Sequence, residues 1–256
     1  MKGKNKPAKT ILAWAVGAAA VFFLIPVGMT LFRSLRVSGK FSLEGYQELL
    51  FNCFPFYRFF WNSVIYSMLI TAGCVLVSVL AAFAFHFAHF PGKKVLYVIY
   101  IVLMMMPLQV MILPNYIGLR DLKLLNTPAA IIVPLIFSPM GTVIIRQYLS
   151  GCNEEVVEAA RLETNSSLRI IRHCIFPQIR VCVCAVALFL FAETWNLVEQ
   201  PMLYVDKDSI RTLSSMFSNA AAYNETVLPT ASVLFMVPVL LWYLLYHREL
   251  QEGLKR

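Results

Sequence analysis

Charge is what this chain has least of. Asp, Glu, Lys and Arg make up 14% of its 256 residues, 59% are hydrophobic and the mean hydropathy is +0.68, well outside the balance of a water-soluble domain. A soluble fold cannot hide that much apolar surface. The net charge of +8 does not point to nucleic acid, because the basic residues sit at the ends of long apolar runs instead of on one polar face. The glycine-rich phosphate loop of nucleotide hydrolases is missing. So is any His-Glu-x-x-His, Ser-His-Asp or paired-carboxylate arrangement that would recommend an enzyme. Cysteine occurs six times, but Cys74, Cys182 and Cys184 lie inside apolar runs, so no disulfide framework is expected. His86 and His89 have the i, i+3 spacing of a shared metal, yet no carboxylate or cysteine stands near them in sequence.

What is abundant is apolar length. A helix needs about 20 mostly apolar residues to cross the hydrocarbon core. Runs free of charge place crossings at about 10–32, 62–86, 95–117, 126–147 and 227–247, with a weaker one at 179–198 interrupted by Glu193. Lys2, Lys4, Lys6 and Lys9 before the first run imitate a secretion signal, but Thr10 to Phe32 is too long for one that is removed. The run from Phe59 to Gly92 exceeds one straight span, so its first residues are expected along the interface. Residues 1–9 and 248–256 are left as tails around a membrane domain spanning 10–247. Prolines at 26, 107, 114, 134, 139, 229 and 238 would each remove a backbone hydrogen bond if they lie inside a helix.

Six crossings divide the charged residues unevenly. One side receives fourteen Lys and Arg with six acidic residues, the other eight with eight, so the first side, which holds both tails, is read as cytoplasmic. The longest polar segment on that side covers residues 150–178. Val156, Val157, Ala160 and Leu162 precede a polar break at Thr164 to Ser167. Leu168, Ile170, Ile171, Cys174 and Ile175 then resume before Pro177. This is the pattern of two short amphipathic helices joined by a turn. Asn165, Ser166 or Ser167 offers a capping side chain to the second.

Glu158, Ala159, Ala160, then Arg161, Leu162 and Glu163, and later Ile175, Phe176 and Pro177, resemble the EAA loop of ABC importer permeases. Further resemblances narrow this to the maltose-type carbohydrate permeases and cover nearly the whole chain. They are Phe90-Pro91-Gly92-Lys93, Met106-Pro107-Leu108-Gln109, the run through Pro114, Tyr116, Leu119, Leu124, Asn126 and Thr127, and Thr194-Trp195-Asn196. The chain departs from the pattern at Thr164, where the family has glycine. Threonine is expected to strain a left-handed turn there.

The resemblance implies an all-α, polytopic membrane helix bundle with six transmembrane helices and a cytoplasmic helix-turn-helix coupling loop. It implies a multi-pass protein of the bacterial inner membrane with both termini cytoplasmic. It also implies a second homologous permease subunit, two ABC ATPase subunits, an extracellular solute-binding protein and surrounding membrane lipid as partners, and no nucleic acid. No cofactor would be bound by this chain, since ATP would be hydrolysed by the partner subunits. Glu158, Ala159, Ala160, Arg161, Glu163, Thr164 and Pro177 would form the ATPase-coupling loop.

From the residues themselves, Glu193, Trp195 and Asn196 form the clearest polar group at a membrane position, with Gln109 and Asn115 as weaker companions. Ionisable groups there face a pathway or the bundle interior, and a ring beside amides suits a sugar. An interfacial Trp beside a solvated Glu remains open as the other reading. Competing with a carbohydrate importer are a permease for a solute such as glycerol phosphate and an ion-coupled secondary transporter, for which only Glu193 speaks.

Overall fold

The computed structural model describes residues 6–37, 40–218 and 227–253. The chain forms two compact units, one made of the residues up to Tyr57 with the segment ending at Val237, the other of Arg58–Ser218 with the residues from Pro238. In the first unit, α1 covers Lys6–Ser34 and is followed by a two-stranded antiparallel hairpin, β1 Arg36–Val37 and β2 Lys40–Phe41. The short α2, Glu44–Gln47, packs beneath α1 through Tyr46, whose hydroxyl lies 3.0 Å from Ser34 Oγ. Residues 6–9 belong to α1, so only 1–5 of the expected tail lie outside the described residues.

The remaining described α-helices are α3 (Phe54–Phe87), α4 (Lys93–Met105), α5 (Leu108–Asp121), α6 (Pro128–Ile136), α7 (Pro139–Leu149), α8 (Glu154–Glu163), α9 (Ser167–Ile170), α10 (Phe176–Trp195), α11 (Glu199–Tyr204), α12 (Leu213–Ser218) and α13 (Val227–Gly253). Helix α13 takes most of the expected C-terminal tail, and 254–256 lie outside the described residues. Among the described residues, five helical stretches are long and apolar enough to cross a membrane, α6–α7 and α9–α10 each counting as one, and a sixth crossing is reached if α4 and α5 count as one. The protein is a multi-pass all-α membrane protein.

That α4–α5 pair is where the architecture departs from a straight span over 95–117. The two helices meet at 107°. Met106 has φ −71°, ψ 130° and Pro107 φ −62°, ψ 143°. The pyrrolidine ring disfavours helical geometry in the residue before it, so the chain turns at Met106 instead of absorbing Pro107. The other prolines in helix interiors, Pro26, Pro114, Pro134 and Pro238, leave their helices continuous.

In the second unit, an extended apolar cluster joins α3 (Cys74, Val79, Ala82, Phe83, Phe87) to Ile145 and Leu149 of α7, Val157 of α8 and the inward face of 170–190. Gly141 brings α7 onto α3 so closely that a Cβ there would lie 2.5 Å from Ser78 Oγ. At the other end, Asn62 Nδ2 donates to the carbonyls of Ser209 (2.9 Å) and Arg211 (3.0 Å), and Ser63 Oγ accepts from Leu213 N at 2.7 Å. Asn126, with φ +61°, accepts from Asp206 N on its side chain at 2.7 Å and donates its own amide to Tyr204 O. These contacts pin the segment after α10 against α3 and the loop between α5 and α6.

Candidate functional site: a coupling helix and a polar cavity

Helix α8 starts where Asn153 Oδ1 accepts from Glu155 N at 2.9 Å, a side-chain cap that satisfies one free amide. Glu154 and Glu155 then stand at the positive end of the helix dipole. Val157 is buried and Ala160 packs on the main cluster, while Glu155, Glu158, Ala159 and Leu162 are exposed. Leu162 is 91% exposed, an apolar side chain with nothing over it. The two alanines therefore play different parts, Ala160 turned to the core and Ala159 to the outside.

Two polar contacts fasten this helix to the end of α3. Arg161 Nη2 donates to the Phe87 carbonyl at 3.2 Å, and Glu154 Oε1 lies 3.1 Å from His86 Nε2. His86 thus has a carboxylate partner that its sequence neighbourhood did not reveal. Lys93 closes the same helix end, donating to the carbonyls of His86 and Ala88 at 2.9 and 2.8 Å. The last carbonyls of a helix lack partners within it, so cations here answer a need set by the backbone.

The turn after α8 corrects two expectations. Thr164 has φ −150°, ψ 137°, extended backbone that any residue adopts, so it is not strained. No side chain caps the next helix. Instead Thr164 Oγ1 accepts from Ser166 N at 3.3 Å, and Ser166 O accepts from Arg169 N and Ile170 N. The second helix does not stop before Pro177. From Ser167 it runs through a π-helical turn at Ile171–Ile175 into α10, one apolar helix of 29 residues. Pro177 follows the π-helical turn directly as the second residue of α10, inside the continuous helix, and Gln178 Nε2 donates to the Cys174 carbonyl at 2.9 Å. Glu163 is exposed at the end of α8.

A cavity of about 350 Å³ lies near the α4–α5 bend, and Tyr100, Asn115, Ser138, Glu193 and Gln200 are the residues with polar side chains that line it. Of the five expected pathway residues, the structure brings Asn115 and Glu193 together here. It does not bring the other three. Gln109 Nε2 donates to Glu199 Oε1 at 3.3 Å, and Asn196 caps its own helix by donating to Ala192 O at 2.7 Å. Trp195 is enclosed by other rings and is not among the residues lining the cavity. It is 1% exposed, stacked 5.9 Å from Phe191 and met edge-on by Phe60. Large rings gain most by such burial.

The binding-protein-dependent transport system inner membrane component family matches residues 74–247. The chain belongs to this family. It is 26% identical over 227 residues to the sn-glycerol-3-phosphate transport system permease protein UgpE of Brucella abortus (strain 2308), covering 84% of this chain and 80% of that protein. It is 29% identical over 208 residues to UgpE of Shigella flexneri serotype 5b (strain 8401), covering 79% and 74%. Its fold matches the crystal structure of a bacterial ABC transporter involved in the import of the acidic polysaccharide alginate. The TM-score is 0.81, with 18% identity, over 97% of this chain and 98% of that one.

Within this family frame, Gln200 is the cavity residue that the sequence reading missed. Its side chain is 1% exposed and its Oε1 has no partner among the described residues. A buried amide oxygen without a partner is costly, which suits a group kept for a ligand. The sequence carried no signal for it, because α10 ends at Trp195 and Gln200 lies on the separate α11, so no helical spacing links it to Glu193.

Proposed function

We propose that this chain is the permease subunit of an ABC importer, forming half of a translocation pathway for a carbohydrate or related solute. The observation that carries the reading is α8. It offers Glu158, Ala159 and Leu162 outward while Val157 and Ala160 tie it to the bundle and Arg161 and Glu154 to the end of α3. An exposed acidic and apolar helix with a rigid base suits insertion into a groove of a partner. The partners are a second permease subunit, two ATPase subunits that perform the hydrolysis, and an extracellular binding protein. The α8 end and both termini face the cytoplasm.

In this mechanism the chain makes and breaks no covalent bond. Closure of the ATPase pair displaces α8, and the contacts to α3 and the unbroken helix from Ser167 to Trp195 carry that displacement across the membrane. Since Glu193 stands at the far end of the same helix, movement of the loop and remodelling of the cavity are linked by one rigid element. The polar set of that cavity is amide, hydroxyl and carboxyl, with no Lys, Arg or His among its described lining residues. This favours an uncharged polyol over an anion. The test is Glu158→Lys in the assembled transporter. Loss of both uptake and ATPase stimulation, with normal membrane insertion, is expected; wild-type uptake overturns the coupling role.

A further inference from the structure

A second hollow, of about 1140 Å³, lies under the turn between α3 and α4 and is not used by the transport reading. Its position is set by the turn. Gly92 has φ +77°, open to glycine without cost, and it starts α4 with no side-chain cap. The hollow therefore sits where the apolar span of α3 ends at Phe87 and the apolar α4 begins with Lys93 and Lys94, and the end of a span marks the boundary between hydrocarbon and water.

Its lining is of two kinds. Lys93, Lys94 and Arg146 bring positive charge, and none of the described lining residues is acidic. Below them, Val95 and Val98 are exposed apolar side chains. The Arg146 guanidinium lies over the Tyr97 ring at 4.0 Å, and its buried Nε has no hydrogen-bond partner among the described residues. A desolvated donor with no acceptor is costly unless a ligand supplies one. The first free amides of α4 add their dipole to the same place.

We propose that this hollow binds the phosphate headgroup of an anionic phospholipid, with Arg146 and Lys94 on the phosphate and the acyl chains along Val95 and Val98. Charge complementarity selects the headgroup, and the exposed valines below the cations select a lipid over a free anion. Basic pockets between membrane helices at an interface have this chemistry. The inference is independent of the coupling role of α8.

Native mass spectrometry of the full chain in detergent tests it, titrating phosphatidylglycerol, phosphatidylcholine with the same acyl chains, and inorganic phosphate. Phosphatidylglycerol is expected to bind more tightly than phosphatidylcholine, and Lys94→Gln or Arg146→Gln to weaken it about fivefold each. Lys94→Arg, which keeps the charge, should keep the preference and shows that the site folds. Phosphate in millimolar excess should not displace the lipid. Equal binding of the two lipids, an unchanged preference in both Gln variants, or displacement by phosphate overturns the proposal.

Discussion

Arg161 of α8 donates a hydrogen bond to the carbonyl of Phe87, the last residue of α3, at 3.2 Å. The contact joins the helix expected to meet the ATPase to the end of a membrane span. A cation at a helix C-terminus also meets the negative end of the dipole. Arg161 is otherwise exposed, so the bond contributes only about 0.5–1 kcal/mol to folding. Its larger effect falls on transmission. Arg161→Gln should leave the melting temperature of the purified protein almost unchanged while reducing uptake and uncoupling ATP hydrolysis from solute. A variant that transports normally would show that α8 moves α3 by other contacts.

Gly141 is required where α7 crosses α3. A Cβ at this position would meet Ser78 Oγ at 2.5 Å and Ser78 Cβ at 3.1 Å, and small residues let membrane helices approach this closely. Gly141→Ala should destabilise by about 1–3 kcal/mol, the usual cost of overpacking. Ser78→Gly, which removes both clashing atoms, should recover part of the loss in the double variant. Thermal unfolding in detergent measures both, and an unaltered midpoint for Gly141→Ala would contradict the close approach.

The orientation rests on the excess of Lys and Arg on the side that carries α8. Leu162 is 91% exposed in this chain and thus a clean reporter when the chain is expressed without the ATPase subunits that would cover it. In a background with the six native cysteines replaced by alanine, Leu162→Cys should react with a membrane-impermeant maleimide in inverted vesicles and stay unlabelled in intact spheroplasts. Labelling from outside would reverse the whole topology.

The helical class, the presence of long apolar helices and the polar loop were legible in the sequence because each depends on local pattern, whereas the expected straight span over 95–117 is bent at Met106. Glu158 to Glu163 announced a helix through Val157 and Ala160, and the structure forms α8 around those two side chains. What was not legible depends on partners distant in sequence. Pro107 and Pro114 look alike in sequence, yet only the first breaks the chain sharply. Trp195 looked available because it neighbours Glu193 and Asn196, but Phe60 and Phe191 enclose it. Thr164 looked strained only on the assumption of a left-handed turn. His86 gained Glu154, 68 residues away, which no local spacing could announce.

Glu193 provides the sharpest test of the solute. It is the one acidic residue lining the polar cavity, whose described lining includes no cation. A unit charge about 8 Å from a bound anion, at an effective dielectric near 20, opposes it by about 2 kcal/mol, or more than tenfold in affinity. Neutral sugars should therefore stimulate ATP hydrolysis by the assembled importer, and their phosphate esters should do so poorly. Glu193→Gln removes the repulsion and keeps a hydrogen-bonding amide, so the esters should gain on the neutral sugars by about thirtyfold. Gln200→Leu, in contrast, should weaken every solute, because it deletes the buried amide whatever the charge of the ligand. If phosphate esters stimulate the unaltered protein as well as neutral sugars do, the cavity does not select by charge.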